Sequence, residues 1–182
     1  NMKKIISLFK RDYEGTRLIY NEVTPGAEWV LEGIGVATRK YDGEAHLIQD
    51  GKLYKRYDAK KGKTPPINFI PAQEPDAITG HWPGWVPIGN TPTDKWSREA
   101  FDPSLPDGTY ELCGPKVQSN HEKFLKHILI PHGKDVIPDA PRTYEKLKEW
   151  FKGKDIEGIV WHSSDDKMVK IKKEDFGLKR QE

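Results

Sequence analysis

Three short strings in this 182-residue chain could carry chemistry. The first is Lys40-Tyr41-Asp42-Gly43. A lysine amine that has lost its proton is a nucleophile, and the Asp-Gly that follows makes a bend. Taken alone the string is also common in surface turns, where the lysine is simply solvated. The second is Val169-Lys170-Ile171-Lys172. Alternation along a strand turns Val169 and Ile171 to one face and Lys170 and Lys172 to the other. Two neighbouring ammonium groups repel, so an anion between them, phosphate above all, gives the pair a purpose. A solvated edge strand guarded by lysines is the plain alternative. The third is Glu157-Gly158-Ile159-Val160-Trp161-His162, a carboxylate and a glycine heading an apolar strand. A half-buried Glu157 needs a partner, which a metal ion or a nearby lysine could supply, and Gly158 lets a ligand or backbone come close.

In that order along the chain, the three strings resemble the covalent nucleotidyltransferase superfamily of ATP-dependent ligases and capping enzymes. Between them, "YELCG" at 110–114 resembles the superfamily's central motif, whose glutamate contacts the nucleotide ribose, and "KRYD" at 55–58 resembles its Arg-containing strand. "GHWPGWVPI" at 80–88, "LIPHG" at 129–133 and "IEGIVWHSSD" at 156–165 resemble more narrowly the eukaryotic and viral 5′-to-3′ RNA ligase family. The chain departs from that family in its compressed segment between Trp96 and Gly108 and in Arg39, where an acidic residue commonly precedes the nucleophile.

The resemblance implies that Lys40 takes AMP from ATP and passes it to an RNA 5′-phosphate, which a 3′-hydroxyl then attacks. It implies ATP contacts from Lys40, Arg56, Glu111, Lys170 and Lys172, with Ile159 or Val160 against the adenine, and Mg²⁺ (or Mn²⁺) held by Glu157 and by Glu74. A lysine amine costs about 4 to 5 kcal/mol to neutralise at pH 7 without help. Cations around the nucleophile, Lys170, Arg56 and a Mg²⁺ near Glu157, would provide that help and stabilise the transferring phosphate. DNA ligases and capping nucleotidyltransferases share the lysine chemistry, and an RNA-binding module with an incidental Lys40 is the non-enzymatic alternative. His81, His132 and His162 have no metal-ligand spacing and read as hydrogen-bonded structural residues. Trp82 and Trp85 could stack on RNA, with packing the simpler use.

The balance of 30 basic and 28 acidic residues, net +2, excludes a coating protein with a strongly basic surface. A single cysteine, Cys113, forbids an internal disulfide and suits a reducing compartment, the cytoplasm. No apolar stretch has membrane-spanning length, and Asn1 ahead of Met2 reads as an appended residue. The chemistry-bearing strings need strands to position them. Residues 29–57 read as strands, with Asp50-Gly51 as a two-residue hairpin turn. The proline-rich stretch 62–108 reads as ordered loops around short strands. A strand follows with Tyr110 and Leu112 on one face and Glu111 and Cys113 on the other. Ser119 and Glu122 have the spacing of a helix start. Tyr144, Leu147, Trp150 and Phe151 form a helical stripe begun by Thr143 and ended by Gly153, and "IEGIVWH" and "MVKIK" close the chain as strands. The expected class is α+β, an antiparallel-sheet-rich nucleotidyltransferase (ligase adenylylation) domain with a few short helices. Ten residues follow Lys172, so one domain over 1–182 without an added oligonucleotide-binding domain is expected, acting as a monomer.

Overall fold

A computed structural model describes residues 2–182, so the reading of Asn1 lies outside the described residues. In chain order the elements are β1 (Ile6–Ser7), β2 (Phe9–Arg11), β3 (Ile19–Val23), α1 (Glu28–Leu31), β4 (Val36–Lys40), β5 (Glu44–Gln49), β6 (Lys52–Ala59), β7 (Ile70–Pro71) and β8 (Trp82–Pro87). There follow α2 (Lys95–Ala100), β9 (Gly108–Cys113), β10 (Ile128–Pro131), α3 (Tyr144–Phe151), β11 (Gly158–His162) and β12 (Met168–Lys172). The architecture is mixed α+β, dominated by antiparallel sheet, as expected. Among the described residues no helix is long and apolar enough to cross a membrane.

The chain divides into two compact units, residues 2–4 with Asp42–His132, and Ile5–Tyr41 with Gly133–Glu182. The first contains a six-stranded antiparallel sheet in the order β10-β9-β5-β6-β8-β7. Asp50 and Gly51 both take positive φ, 53° and 74°, which is what the tight β5–β6 turn requires. Consecutive residues Leu47 and Ile48 point to opposite faces and are both buried, so both faces of β5 are covered. Ile48, Leu53, Tyr110, Leu112 and Leu129 form one cluster, and Leu47, Ala72 and Trp85 form the other. Trp85 is fully buried and Trp82 packs edge-on against Phe69, so both indoles serve packing here.

The second unit holds a four-stranded sheet ordered β1-β12-β11-β4, in which only the β1–β12 pair is parallel, beside the two-stranded β2–β3. Leu147 and Phe151 of α3, spaced four apart, are fully buried with Phe9, Ile159, Trp161 and Ile171. Thr143 is extended ahead of the helix and Gly153 follows it at φ 78°, in agreement with the stripe's expected ends.

Three local expectations are corrected. Trp29 to Leu31 form the single turn of α1 rather than strand. Lys95–Ala100 is a helix hidden in the proline-rich stretch, placed by Trp96 and Ala100 packing on the Tyr110 cluster. No helix starts at Ser119, because Gln118, Asn120 and Lys123 take positive φ. The Asn120 side chain instead accepts from the Phe124 N–H and donates to its carbonyl, closing a loop, and Leu125 is left 97% exposed.

Candidate functional site

In the second unit, β4 pairs with β11 so that Lys40 lies opposite Gly158, and β11 pairs with β12 so that Gly158 lies opposite Lys172. The three residues form one row across the sheet. Thr38, Val160 and Lys170 form the row two residues on, so they share the face of Lys40 and Lys172. The other face carries Ile159, Trp161, Val169 and Ile171, all in the core. Of the two residues weighed for adenine, Val160 is therefore on the lysine face, and Ile159, fully buried, is behind it.

Gly158 is required by backbone proximity. A Cβ there would stand 2.2 Å from the Ile171 carbonyl oxygen, so the glycine lets β11 and β12 close and places no side chain between the two long lysines. Among the described residues no hydrogen bond or ion pair engages the Lys40 amine, whereas the Lys172 ammonium donates to Glu174 at 2.8 Å. Burial alone would lower the Lys172 pKa, but the hydrogen bond and charge of Glu174, with Asp175 and Glu157 behind them, carry it upward. The Glu174 carboxyl is held low by its Lys172 hydrogen bond against burial, with Lys172, Arg11 and Lys40 adding positive charge. The end of β4 is fixed by the Tyr41 hydroxyl, which donates to Asp135 at 2.7 Å, and by the Arg39 guanidinium over the Tyr41 ring.

Glu157 precedes β11, and its carbonyl accepts from the Lys173 N–H. Its half-buried carboxylate lies 3.5 Å from Arg180, which also meets Asp155 at 2.8 Å. The partner that burial demands includes an arginine that spacing could not reveal. Among the described residues no three His, Cys, Asp or Glu side chains group to hold a metal. Mg²⁺ is commonly held by one or two carboxylates, with phosphates and waters completing it, and Glu157 fits that use with Arg180 as competitor.

In the first unit, the Gly43 N–H donates to one oxygen of Glu111 at 3.1 Å and His132 Nε2 meets the other at 2.8 Å. A Cβ on Gly43 would stand 2.1 Å from the Leu112 carbonyl oxygen, so the glycine of the Lys-x-Asp-Gly string lets the chain lie against the end of β9. Arg56 on β6 donates to the Met2 carbonyl at 2.6 Å and stacks over Trp85 at 4.7 Å. Burial lowers its pKa, against the charge of Asp58. It lines a cleft with Lys4, Asp58, Gln73, Asp76 and His81. Glu74 is an exposed loop residue between β7 and β8.

The structure thus brings Lys40, Lys170 and Lys172 to one face of one unit, and holds Glu111 in place in the other. Glu174 and Arg180 were missed. Glu174, two residues past Lys172, was legible as a neighbouring opposite charge, whereas Arg180 left no local signal. His81 and His162 are hydrogen-bonded or ion-paired to Asp58 and Thr38, as lone histidines commonly are.

Residues 103–182 match the family model of RNA ligase 1. Glu111, Glu157, Lys170 and Lys172 fall within that span, and Lys40 and Arg56 precede it. RNA ligase 1 of Pongo abelii is 28% identical over 186 residues, covering 78% of this chain and 57% of that protein. RNA ligase 1 of Rattus norvegicus is 27% identical over 187 residues with the same coverage, and that of Danio rerio is 30% identical over 137 residues, 55% of this chain and 42% of that protein. The chain thus spans 57% of the length of the mammalian relatives, and it is similar to RNA ligase 1 proteins.

Proposed function

We propose that this chain is an ATP-dependent RNA ligase that carries AMP on Lys40 and joins 5′-phosphate to 3′-hydroxyl RNA ends. The observation that carries the reading is the row of Lys40, Gly158 and Lys172, with Lys170 on the same face, in a chain similar to RNA ligase 1. A lysine whose amine has no hydrogen bond or ion pair among the described residues stands beside lysines able to hold an anion.

In the proposed reaction the Lys40 amine attacks the ATP α-phosphorus, an N–P bond forms, and the bond to the bridging oxygen breaks to release pyrophosphate. The amine proton leaves to solvent. An oxygen of the RNA 5′-phosphate then attacks the same phosphorus and breaks the N–P bond, and a 3′-hydroxyl oxygen finally displaces AMP. Lys170 and Lys172 balance charge on the α-phosphate, Arg56 adds positive charge, Val160 lies against the base, and Glu111 accepts from ribose hydroxyls. Bound Mg²⁺ would neutralise phosphate charge, with Glu157 as its carboxylate contact and Glu74 as a second candidate.

The test is incubation with ATP labelled at the α-phosphate and Mg²⁺, followed by a denaturing gel. A labelled band that survives denaturation is expected. No band under any Mg²⁺ or Mn²⁺ concentration would return the chain to the binding-module reading, and equal labelling by GTP would move it to the capping enzymes.

A further inference from the structure

Glu111 sits in mid-strand on β9, opposite Ile130 of β10. Just past β10, the His132 N–H donates to the Thr109 carbonyl at 3.1 Å and prolongs that pairing, which turns the imidazole back onto Glu111. His132 Nε2 lies 2.8 Å from Oε1, while the Gly43 N–H takes Oε2 at 3.1 Å. The His132 Nδ1 atom is buried and has no hydrogen-bond partner among the described residues. That fixes the tautomer: the hydrogen belongs on Nε2, where it donates to the carboxylate, and Nδ1 keeps its lone pair, because a hydrogen on Nδ1 would be buried without an acceptor.

A carboxylate offers about four lone-pair sites. Two donors, one on each oxygen, fix the plane and rotation of the Glu111 group and leave the remaining lone pairs to accept further hydrogen bonds. The glutamate is half-buried, its side chain 13% exposed, so it cannot swing to meet a ligand without losing both donors. A group held this firmly suits recognition of two hydroxyls at fixed separation, as on a ribose.

We infer that His132 is a positioning residue that sets ribose selectivity by holding the Glu111 carboxylate where it accepts from the sugar hydroxyls of the bound nucleotide. The inference rests on the proposed ATP reading and assigns His132 no contact with the reacting phosphorus. A site built to bond a hydroxyl rejects the analogue lacking it, because its own polar group is then left unpaired. Without His132 the carboxylate keeps only the Gly43 donor and can rotate, so the penalty for a missing hydroxyl shrinks.

The test measures equilibrium binding of ATP, 2′-deoxyATP and 3′-deoxyATP to the wild-type chain, His132→Ala, His132→Gln and Glu111→Gln, in parallel with the KM and kcat of lysyl-AMP formation. Wild type is expected to prefer ATP over at least one deoxy analogue by about tenfold or more. His132→Ala should bring that ratio to within about threefold through the affinity for ATP, with little change in kcat. His132→Gln, whose amide donates from nearly the same place, should restore most of it. A general loss of fold would weaken all three nucleotides together, so an unchanged ratio in His132→Ala overturns the inference, as does failure of the Gln variant to rescue. If wild type binds ATP selectively but forms no adduct, ligation is the claim that fails and the binding ratios still decide the role of His132. If wild type does not distinguish ATP from its deoxy analogues, or binds none of them, the inference falls.

Discussion

Lys40 and Lys172 face each other across Gly158, one residue on each of three neighbouring strands. Strands lie about 4.8 Å apart, which puts the two lysine Cα atoms about 10 Å from each other. Long side chains from both sides can close on an anion over the glycine, where no side chain intervenes. Lys172 is the member already held, by Glu174, and Lys40 is the one whose amine has no hydrogen bond or ion pair among the described residues. The difference suits the roles proposed above, Lys172 as charge and Lys40 as nucleophile.

Replacement of that nucleophile should be all-or-none in chemistry and nearly silent in folding. Lys40→Ala and Lys40→Arg are expected to give no AMP adduct by intact-mass measurement after ATP and Mg²⁺ treatment. Their melting temperatures should stay close to wild type, since Lys40 is only half-buried at a strand end. An adduct of unchanged yield in either variant would place the modified residue elsewhere.

Gly158 should be the least replaceable residue of the row. The Cβ of Gly158→Ala would stand 2.2 Å from the Ile171 carbonyl and 3.0 Å from the Lys172 Cα, both backbone atoms that can yield only by parting β11 from β12. Overpacking of this kind costs about 1 to 3 kcal/mol. Chemical denaturation should show that loss, and nucleotide binding should fall with it. Wild-type stability in this variant would mean that the two strands part without cost.

Asp94 should make the first unit acid-sensitive. Burial would raise its pKa, but the Lys55 ammonium at 2.6 Å and the Gly89 N–H at 2.7 Å outweigh burial and hold the carboxyl below its ordinary value. A carboxyl depressed in the folded state binds its proton more readily when unfolded. Its stabilisation is therefore present above the unfolded value of about 3.9 and is lost as pH falls through the lower folded value. Asp94→Asn is expected to lose about 1 to 3 kcal/mol at pH 7 by urea denaturation. The gap to wild type should shrink as the pH is taken below about 3.9. A gap that stays constant with pH would show that the charge on Asp94 contributes nothing.

How much of this was legible before the structure depends on distance along the chain. Alternation alone put Lys170 and Lys172 on one face and Glu111 opposite Tyr110 and Leu112, because those relations are set within one strand. The hairpin at Asp50-Gly51 and the stripe of α3 were equally local. The row of Lys40, Gly158 and Lys172 joins residues 132 positions apart, and only the strand order and register supply it. His132 reaches Glu111 for the same kind of reason, through the β9–β10 pairing. The misread start at Ser119 shows the opposite failure. Its spacing fits a capping box, yet Phe124 and Leu125 are too few apolar residues to pack a helix, and the Asn120 side chain bonds the backbone into a loop instead.

Glu174 provides the last test, because it occupies the lysine that the proposed reaction gives to phosphate. Its carboxylate takes the Lys172 ammonium at 2.8 Å and feels the positive charge of Lys40 and Arg11 as well. An incoming α-phosphate must compete with it. The Glu174 side chain is 68% exposed, and an exposed pair of this kind is worth about 0.2 to 1 kcal/mol. Glu174→Gln should therefore strengthen ATP binding by only about 1.5- to 5-fold, most clearly at low ionic strength, where exposed charges are least screened. Folding should be unaffected by the same measure. The comparison with Lys172→Ala completes the argument, since in that background the Glu174 substitution has no ammonium to release and should lose most of its effect. Weaker ATP binding by Glu174→Gln would show that the carboxylate orients Lys172 for the nucleotide rather than competing with it.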